Sequence, residues 1–501
     1  MEVKDRTRFN CRRVAACLQK RPSGLNWQPD LCEDKADAAS SEGLFKDDYS
    51  KSDPLAFKVD CSPFISKLQN AADDCRDDKE NGKLYEEVDA AAYDASGEST
   101  LVEEEEEILL DQAKEPEEAE DEAPVWLRDW HKDHMAAISS DTFDSLLKEF
   151  PDFQDCKSDM AAFVLITKMS NPAGPPFDSY EVVAVGAGGF SGTKWLCYDG
   201  TMLFDCHAIV IARRALQRFL YKHLLLFFDA DPKTSEISIF QRSDESHLLQ
   251  LKPNISLHLY TNQCPEGAVK NIYSEDGCSW TPMNLKYHYM GQLVSSAYLH
   301  PNQWAAKICC MSGSDKMCLW TVIGLQGSSL THFIHPVYIT SWVLGCEGQS
   351  SIISDLINKR VGDDWESLLP VPYQKQNIVF LSGRPVGPAK PSIQPPISIN
   401  WCHGDEDVEL VDSNTGLVVE DSRSEGSTGG SSRLCKGAFY CYFRKVAQLA
   451  GHQHLQALAT YRCVKMDAFV YQTVKAVVKD HLMSHHEGPW QSKYIVDCFS
   501  A

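Results

Sequence analysis

Nowhere in the 501 residues do about eighteen apolar side chains run together, so neither a transmembrane helix nor a membrane partner is expected. The opening Met1-Glu2-Val3-Lys4-Asp5-Arg6 is charged and lacks an apolar segment, which argues against a secretory signal. The 19 cysteines include no Cys-x-x-Cys pair, so the spacing of a zinc ribbon or a thioredoxin-type centre is missing. Without a signal segment, reduced thiols in the cytoplasm or nucleus are the expectation, and Cys309-Cys310 reads as two small core residues. Positive charge is scarce as well. Lys and Arg number 48 against 71 Asp and Glu, a net charge of −23, which argues against DNA as a partner.

The negative charge is unevenly spread. Residues 1–124 hold 33 Asp/Glu against 16 Lys/Arg, a balance of −17, and the rest of the chain carries −6. Glu103 to Glu107 and the Glu/Ala/Pro-rich stretch after them repel one another and lack periodicity. Residues 1–125 therefore read as an acidic, mostly disordered arm able to recruit protein partners, with one short helix near Phe64 to Ala72. No Gly-x-Gly-x-Ser-Lys-Lys-like turn leads an Ala-rich helix there, so no double-stranded-RNA-binding domain is expected.

Folded sequence is expected over residues 126–501. Asp141 to Phe150 has helical spacing, and Met160 to Thr167 and Tyr180 to Gly186 read as strands. The Gly186-Ala187-Gly188-Gly189 stretch reads as a strand connection, because it lacks the Lys-Ser/Thr of a phosphate loop. His207 to Phe228 is a long, largely apolar helix. Strands are expected at Ile255–Thr261, Thr321–Leu325, Val337–Leu344, Ile378–Leu381, Ile397–Trp401 and Val408–Val411. Ser422 to Ser432 is a Ser/Gly-rich surface loop, and the last 60 residues are helical. Strands alternating with helices predict an α/β fold with a mixed sheet flanked by helices.

The most informative stretch is Asp205-Cys206-His207-Ala208-Ile209. It resembles the His-Ala-Glu helix start of zinc-dependent adenosine and cytidine deaminases, in which the His holds zinc and the Glu shuttles protons. Ile209 stands where that glutamate belongs. Other blocks follow in order: Gly192-Thr193-Lys194, Ala212-Arg213-Arg214, Ser314-Asp315-Lys316 with Trp320, Gly324-Leu325-Gln326-Gly327-Ser328, Ile399-Asn400-Trp401 with Gly404-Asp405, and Ser432-Arg433-Leu434-Cys435-Lys436. From about residue 127 onward, some three quarters of the chain is similar to the deaminase domain of the adenosine-to-inosine RNA editases. Within that group it resembles the adenosine deaminase domain-containing proteins of male germ cells.

The resemblance implies a cytidine-deaminase-like fold and a damaged active site. His207 occupies the zinc-ligating position. Glu266, in Pro265-Glu266-Gly267, and Gly313, in Ser312-Gly313-Ser314, replace the two ligand cysteines. One histidine cannot hold a catalytic zinc, and Ile209 carries no proton, so neither zinc nor turnover is expected. The alternative is an active deaminase with a shifted site, either His207/Cys264/Cys310 or His207/Glu266/Cys310.

The resemblance further implies a buried inositol hexakisphosphate, for which Arg213, Arg214, Lys316, Trp320, Gln326, Ser328, Lys436, Tyr461, Lys465, Tyr471, Lys475 and Lys493 match the family's ring. Leu319 and Phe204 stand where an Arg and an Asn are expected. On one continuous helix, Tyr461, Lys465, Tyr471 and Lys475 share an arc of roughly 120° opposite Cys463, Met466, Val470, Val474 and Val477. Structured or double-stranded RNA is the implied partner. The stretch around Trp280, where editases insert a glutamate-bearing loop into the duplex, has no glutamate, and Trp280 reads as a core or surface aromatic. Cys402-His403 and His481, His485 and His486 lack paired zinc spacing. The reading is therefore an inactive editase-like protein that binds RNA or scaffolds RNA processing in male germ-cell differentiation. A protein-interaction scaffold with no RNA role is the other alternative.

Overall fold

The computed structural model describes residues 124–500 apart from 173, 190–195, 272–283, 290–291, 300–308, 347–349, 363–365, 391–394, 420–429, 486–487, 489 and 491–494. The expected acidic arm up to residue 123, the helix expected near Phe64 to Ala72, Gly192-Thr193-Lys194, Trp280, Lys493, His486 and most of the expected Ser422–Ser432 loop lie outside the described residues.

An eight-stranded mixed sheet organises the domain. Its strands are β1 (Met160–Met169), β2 (Phe177–Gly188), β3 (Ile255–Thr261), β7 (Ser341–Leu344), β8 (Val379–Ser382), β9 (Ile397–Cys402), β10 (Glu409–Asp412) and β11 (Leu417–Val418). The order across the sheet is β8-β7-β3-β1-β2-β9-β10-β11. β3, β7 and β8 run parallel to one another, and the remaining pairings are antiparallel. A smaller antiparallel sheet holds β4 (Lys286–Tyr289), β5 (Gln292–Ser295) and β6 (Cys309–Met311), with β4 in the middle.

β1 shows why the sheet is central. Its first seven residues are buried, and burial fades only at Thr167 to Met169. Successive side chains of a strand point to opposite faces. Ala161, Phe163 and Leu165 accordingly join the large core under the C-terminal helices, while Ala162 and Val164 pack with Met135, Phe143 and Leu147. Those last residues come from α1 (Trp130–Leu146) and its end. With both faces covered, the strand reads as a continuous apolar run.

Across the large face lies α2 (Ala208–Phe227), twenty residues and so about 30 Å long. It sits so close to β2 that a Cβ at Gly186 would fall 2.2 Å from the Ala212 nitrogen and 2.6 Å from the Ala208 carbonyl. Gly186 and Gly188, expected in a turn, are therefore in the last stretch of β2, and Gly186 is left bare so that a helix can approach.

Four other expectations change. Thr321–Leu325 is no strand: it belongs largely to α3 (Gly313–Ile323), which ends at Gly324 with φ +72°. A short apolar run buried all round carries no period that distinguishes helix from strand. α1 begins eleven residues before the expected helix, because its inner face includes polar His131 and Ser139. The strand at Val337–Leu344 shrinks to β7. Against the expectation of reduced thiols, Cys264 and Cys346 are bridged, joining the chain just after β3 to the chain just after its parallel neighbour β7. The C-terminal region is helical as expected, with α4 (Lys436–Leu449), α5 (Tyr461–Asp467) and α6 (Phe469–Ser484). Among the described residues, no helix is long and apolar enough to cross a membrane.

Gly186→Ala should lower the unfolding free energy by about 3 kcal/mol, the upper range for overpacking, since the atoms it meets are backbone. A urea midpoint equal to that of the parent would refute the close helix–strand contact. Under α1, buried His131 and His258 share the Ser341 hydroxyl at 3.2 and 2.7 Å. Burial brings His131 down to about 4 and His258 to about 3, each helped by a neighbouring histidine. Both folded values lie below the unfolded 6.5, so the unfolded chain takes up protons that the folded chain refuses. Stability should be fully present above about pH 6.5 and fall as pH drops toward 4, each group contributing up to about 1.4 kcal/mol per pH unit. Thermal melts between pH 7.5 and 4.5 read this directly.

Candidate functional site

At the start of α2 the chain opens a cavity of about 180 Å³, walled by His207, Ile209, Thr261, Glu266, His288 and Trp342 among others. His207 is the N-cap residue, with extended backbone. Its Nδ1 lies 2.7 Å from Asp205 Oδ1, and its backbone N–H donates to the same oxygen at 3.1 Å. The other Asp205 oxygen accepts from the Lys316 ammonium, which also donates to the Met311 carbonyl at 2.7 Å. His207 Nε2 is thereby turned into the cavity, 3.6 Å from Glu266 Oε2.

A second histidine reaches the same oxygen. His288 on β4 places Nε2 at 3.3 Å from Glu266 Oε2, and the two imidazole centroids are 4.2 Å apart. Donor atoms of His207, Glu266 and His288 all lie within 4.8 Å of one another. Burial alone would raise Asp205, but Lys316 and His207 hold it well below the usual carboxylate range. Burial opposes charge on His207 too, and Asp205 and Glu266 outweigh it, so its pKa is raised. Burial and the neighbouring His207 bring His288 down to about 4.

The fold brings together the positions that the sequence motifs single out. Ile209 is buried in the first turn of α2 and lines the cavity. Gly313 opens α3 beside Pro265 and Glu266, so that a Cβ there would meet Pro265 at 3.2 Å. Two shifted sites weighed from sequence do not form. Cys264 is taken up in the bridge to Cys346, and the Cys310 thiol points to the Phe204 carbonyl at 3.9 Å. The sequence reading counted one nitrogen donor and missed His288, whose neighbours Tyr287 and Tyr289 give it no motif. Elsewhere, His485 Nδ1 lies 2.9 Å from the His481 carbonyl, closing a helix end as a clustered histidine usually does.

The cationic residues gather beneath α2. Arg213 lies with its guanidinium 4.7 Å over the Trp320 ring, and Arg214 donates twice to the Leu434 carbonyl, at 2.8 and 2.5 Å. Lys436, at the start of α4, and Lys465 of α5 hold the two oxygens of Asp497 at 2.7 and 2.6 Å. Tyr461, Tyr471 and Lys475 complete the group, each close enough to Arg213 or Lys465 to shift or be shifted electrostatically. Among the described residues, five cations therefore gather around one contacting carboxylate. Burial lowers Arg213 to about 10 and Lys436 and Lys475 each to about 8, while Asp497 raises Lys465 against its burial. Arg213 Nε is buried with no hydrogen-bond partner among the described residues.

Three matched residues serve other purposes or sit at the margin. Lys316 is engaged with Asp205 and the Met311 carbonyl. Gln326 donates to the Ile323 carbonyl and accepts from the Val337 N–H. Ser328 is buried beside Gly327, which lies against the Arg213 guanidinium. The helical arc also needs correction, because α5 and α6 break at Ala468 (ψ 62°). Met466 and Val470, expected to pack inward, are 49% and 42% exposed, and the phenols and cations face inside. Asp497 was missed because a lone acid near the C-terminus has no sequence signature.

A mixed sheet with a histidine-capped helix laid over it, and a cavity at that cap walled by the loop after β3 and the start of α3, defines a deaminase-type domain. The model of the adenosine-deaminase (editase) domain matches residues 184–494, and the chain belongs to that family. It is 31% identical over 333 residues to the double-stranded RNA-specific editase B2 of Mus musculus, covering 60% of this chain and 43% of that protein. Identity to the Mus musculus double-stranded RNA-specific adenosine deaminase is 28% over 396 residues, 72% of this chain and 32% of the relative. The Drosophila melanogaster double-stranded RNA-specific editase Adar is 28% identical over 59% of this chain and 45% of its own length. The chain thus spans less than half the length of these curated relatives.

Asp497→Asn should cost about 3–5 kcal/mol, because it removes the shared partner of two largely buried lysines. Guanidinium denaturation of the purified protein checks this, and a loss below about 1 kcal/mol would refute Asp497 as the partner on which both lysines depend.

Proposed function

We propose that this chain is a catalytically inactive member of the editase family that binds structured or double-stranded RNA, or scaffolds RNA processing, during male germ-cell differentiation in the cytoplasm or nucleus. The observation that carries the reading is Ile209, an aliphatic side chain in the cavity at the position where the family's motif places its proton-shuttling glutamate. Loss of a general acid/base typically costs about 10²–10⁴ in rate. Glu266 does not substitute for it in this reading, since its carboxylate lies between His207 and His288. RNA as the ligand is supported by the similarity to double-stranded RNA-specific editases, and the germ-cell setting by the sequence resemblance.

Inositol hexakisphosphate is proposed as a structural cofactor, held by Arg213, Arg214, Lys436, Tyr461, Lys465, Tyr471 and Lys475. The orphaned Arg213 Nε and the lowered Lys436 and Lys475 fit a polyanion, whose negative charge would favour the protonated amines. The acidic arm is proposed to recruit protein partners. A protein-interaction scaffold without RNA remains the competing reading, favoured by the body's −6 charge.

Incubated with a duplex RNA that an active editase converts, the purified protein should form no inosine above the buffer control, yet retain the RNA with an affinity that falls steeply with salt. Inosine would overturn the inactive reading, and absence of any RNA retention would favour the scaffold. Phosphorus analysis of the same preparation should show about six phosphorus atoms per chain. A fully folded protein free of phosphorus would exclude the cofactor.

A further inference from the structure

We propose that His207, Glu266 and His288 form a divalent transition-metal site with two imidazoles, one carboxylate and no thiolate, and that it takes zinc. Metal binding here is separate from turnover, so failure of this proposal would leave the inactive reading above untouched. The case rests on spacing. Donors on a tetrahedron about 2.1 Å from a zinc ion stand about 3.4 Å apart, given ordinary Zn–N and Zn–O lengths. Glu266 Oε2 is 3.3 Å from His288 Nε2 and 3.6 Å from His207 Nε2, bracketing that value.

The donors also come from three separate elements: the N-cap of α2, the loop after β3 and the strand β4. Each has independent support. Asp205 takes the Nδ1 side of His207 and directs Nε2 inward, with Lys316 anchoring Asp205 in turn, which is the carboxylate–histidine support that metal-binding imidazoles ordinarily have. Glu266 is held by its own backbone, whose carbonyl accepts from the Ser314 N–H at 2.9 Å and from the Ser314 hydroxyl at 2.9 Å. His288 lies within the ladder of β4 with β5 and β6. The cavity in front of the three donors leaves room for the fourth position of an open site.

The donor set differs in kind from the one-histidine, two-cysteine motif. It is harder, contains no sulfur to oxidise, and leaves a zinc complex one charge more positive. Glu266 spends its carboxylate on the metal and Ile209 carries no proton, so the ion clamps the small sheet to α2 without the proton transfer that deamination needs.

The full-length protein, stripped with a chelator and dialysed, is titrated with zinc and separately with cobalt(II). Uptake of about one zinc per chain is expected, with a raised melting temperature. The cobalt(II) form should show visible d–d absorption and no near-ultraviolet thiolate charge-transfer band. His288→Ala and Glu266→Gln should weaken zinc binding at least tenfold, Asp205→Asn by about 10–100-fold, and Cys310→Ser should leave it unchanged. Absence of uptake by the parent protein overturns the proposal. So does a thiolate band, or undiminished binding by folded His288→Ala. If the histidine variant fails to fold, the cobalt spectrum of the parent still decides between nitrogen/oxygen and sulfur donors.

Discussion

The bare face of Gly186 allows α2 to lie against β2 closer than any side chain would permit, and both candidate sites hang from that contact. α2 begins at His207, carries Ile209 in its first turn, and reaches Arg213 and Arg214 about 9 Å further along its axis. One turn beyond, Arg218 and Lys222 grip the buried carboxylate of Asp405 at 2.9 and 2.6 Å, where Arg433 also arrives at 3.2 Å. A single helix therefore positions His207, Ile209, two of the five clustered cations and the ion pairs that fasten it to the β9–β10 connection. Its fixed depth against the sheet keeps these groups in register.

The cation cluster inverts the usual arrangement of an amphipathic surface. Phe469, Met466 and Val470 face outward, whereas Arg213, Lys465 and Tyr471 face in. Desolvating several cations together is unfavourable unless counter-charge accompanies them, and Asp497 offers a single carboxylate. The lowered Lys436 and Lys475 express the shortfall. Asp205, which pairs with Lys316 and orients His207 in the cavity above, also acts electrostatically on Arg214 of this cluster.

Holding a metal and moving a proton are separable tasks. The first needs convergent lone pairs at fixed spacing, the second a titratable group beside the reacting atoms. An isoleucine side chain, as at Ile209, offers no titratable group for the second and leaves the first untouched. Two of the motif's ligand positions are altered, yet Glu266 and His288 bring donors back to His207 from a loop and a strand.

Much of the fold was legible in sequence. β1, β2, β3 and α2 announced themselves through long apolar runs, and the mixed sheet with flanking helices followed from their alternation. The family resemblance rested on ordered blocks and pointed to His207, Ile209, Glu266 and Gly313, which line one cavity. α3 was mistaken for a strand in part because a helix buried on all sides shows no period, and Gly186 was read as a turn because nothing local reports an approaching helix. His288 and Asp497 were invisible for the same reason: their significance lies in which distant atoms face them. By itself the sequence determined β1, β2, β3, the long helix and the aliphatic Ile209 within the histidine motif, since those depend on side-chain identity and near-neighbour spacing. Only the tertiary structure decided that cations point inward, that Cys264 meets Cys346, and that a carboxylate stands between two imidazoles, because burial and donor spacing are set by packing between segments far apart in the chain.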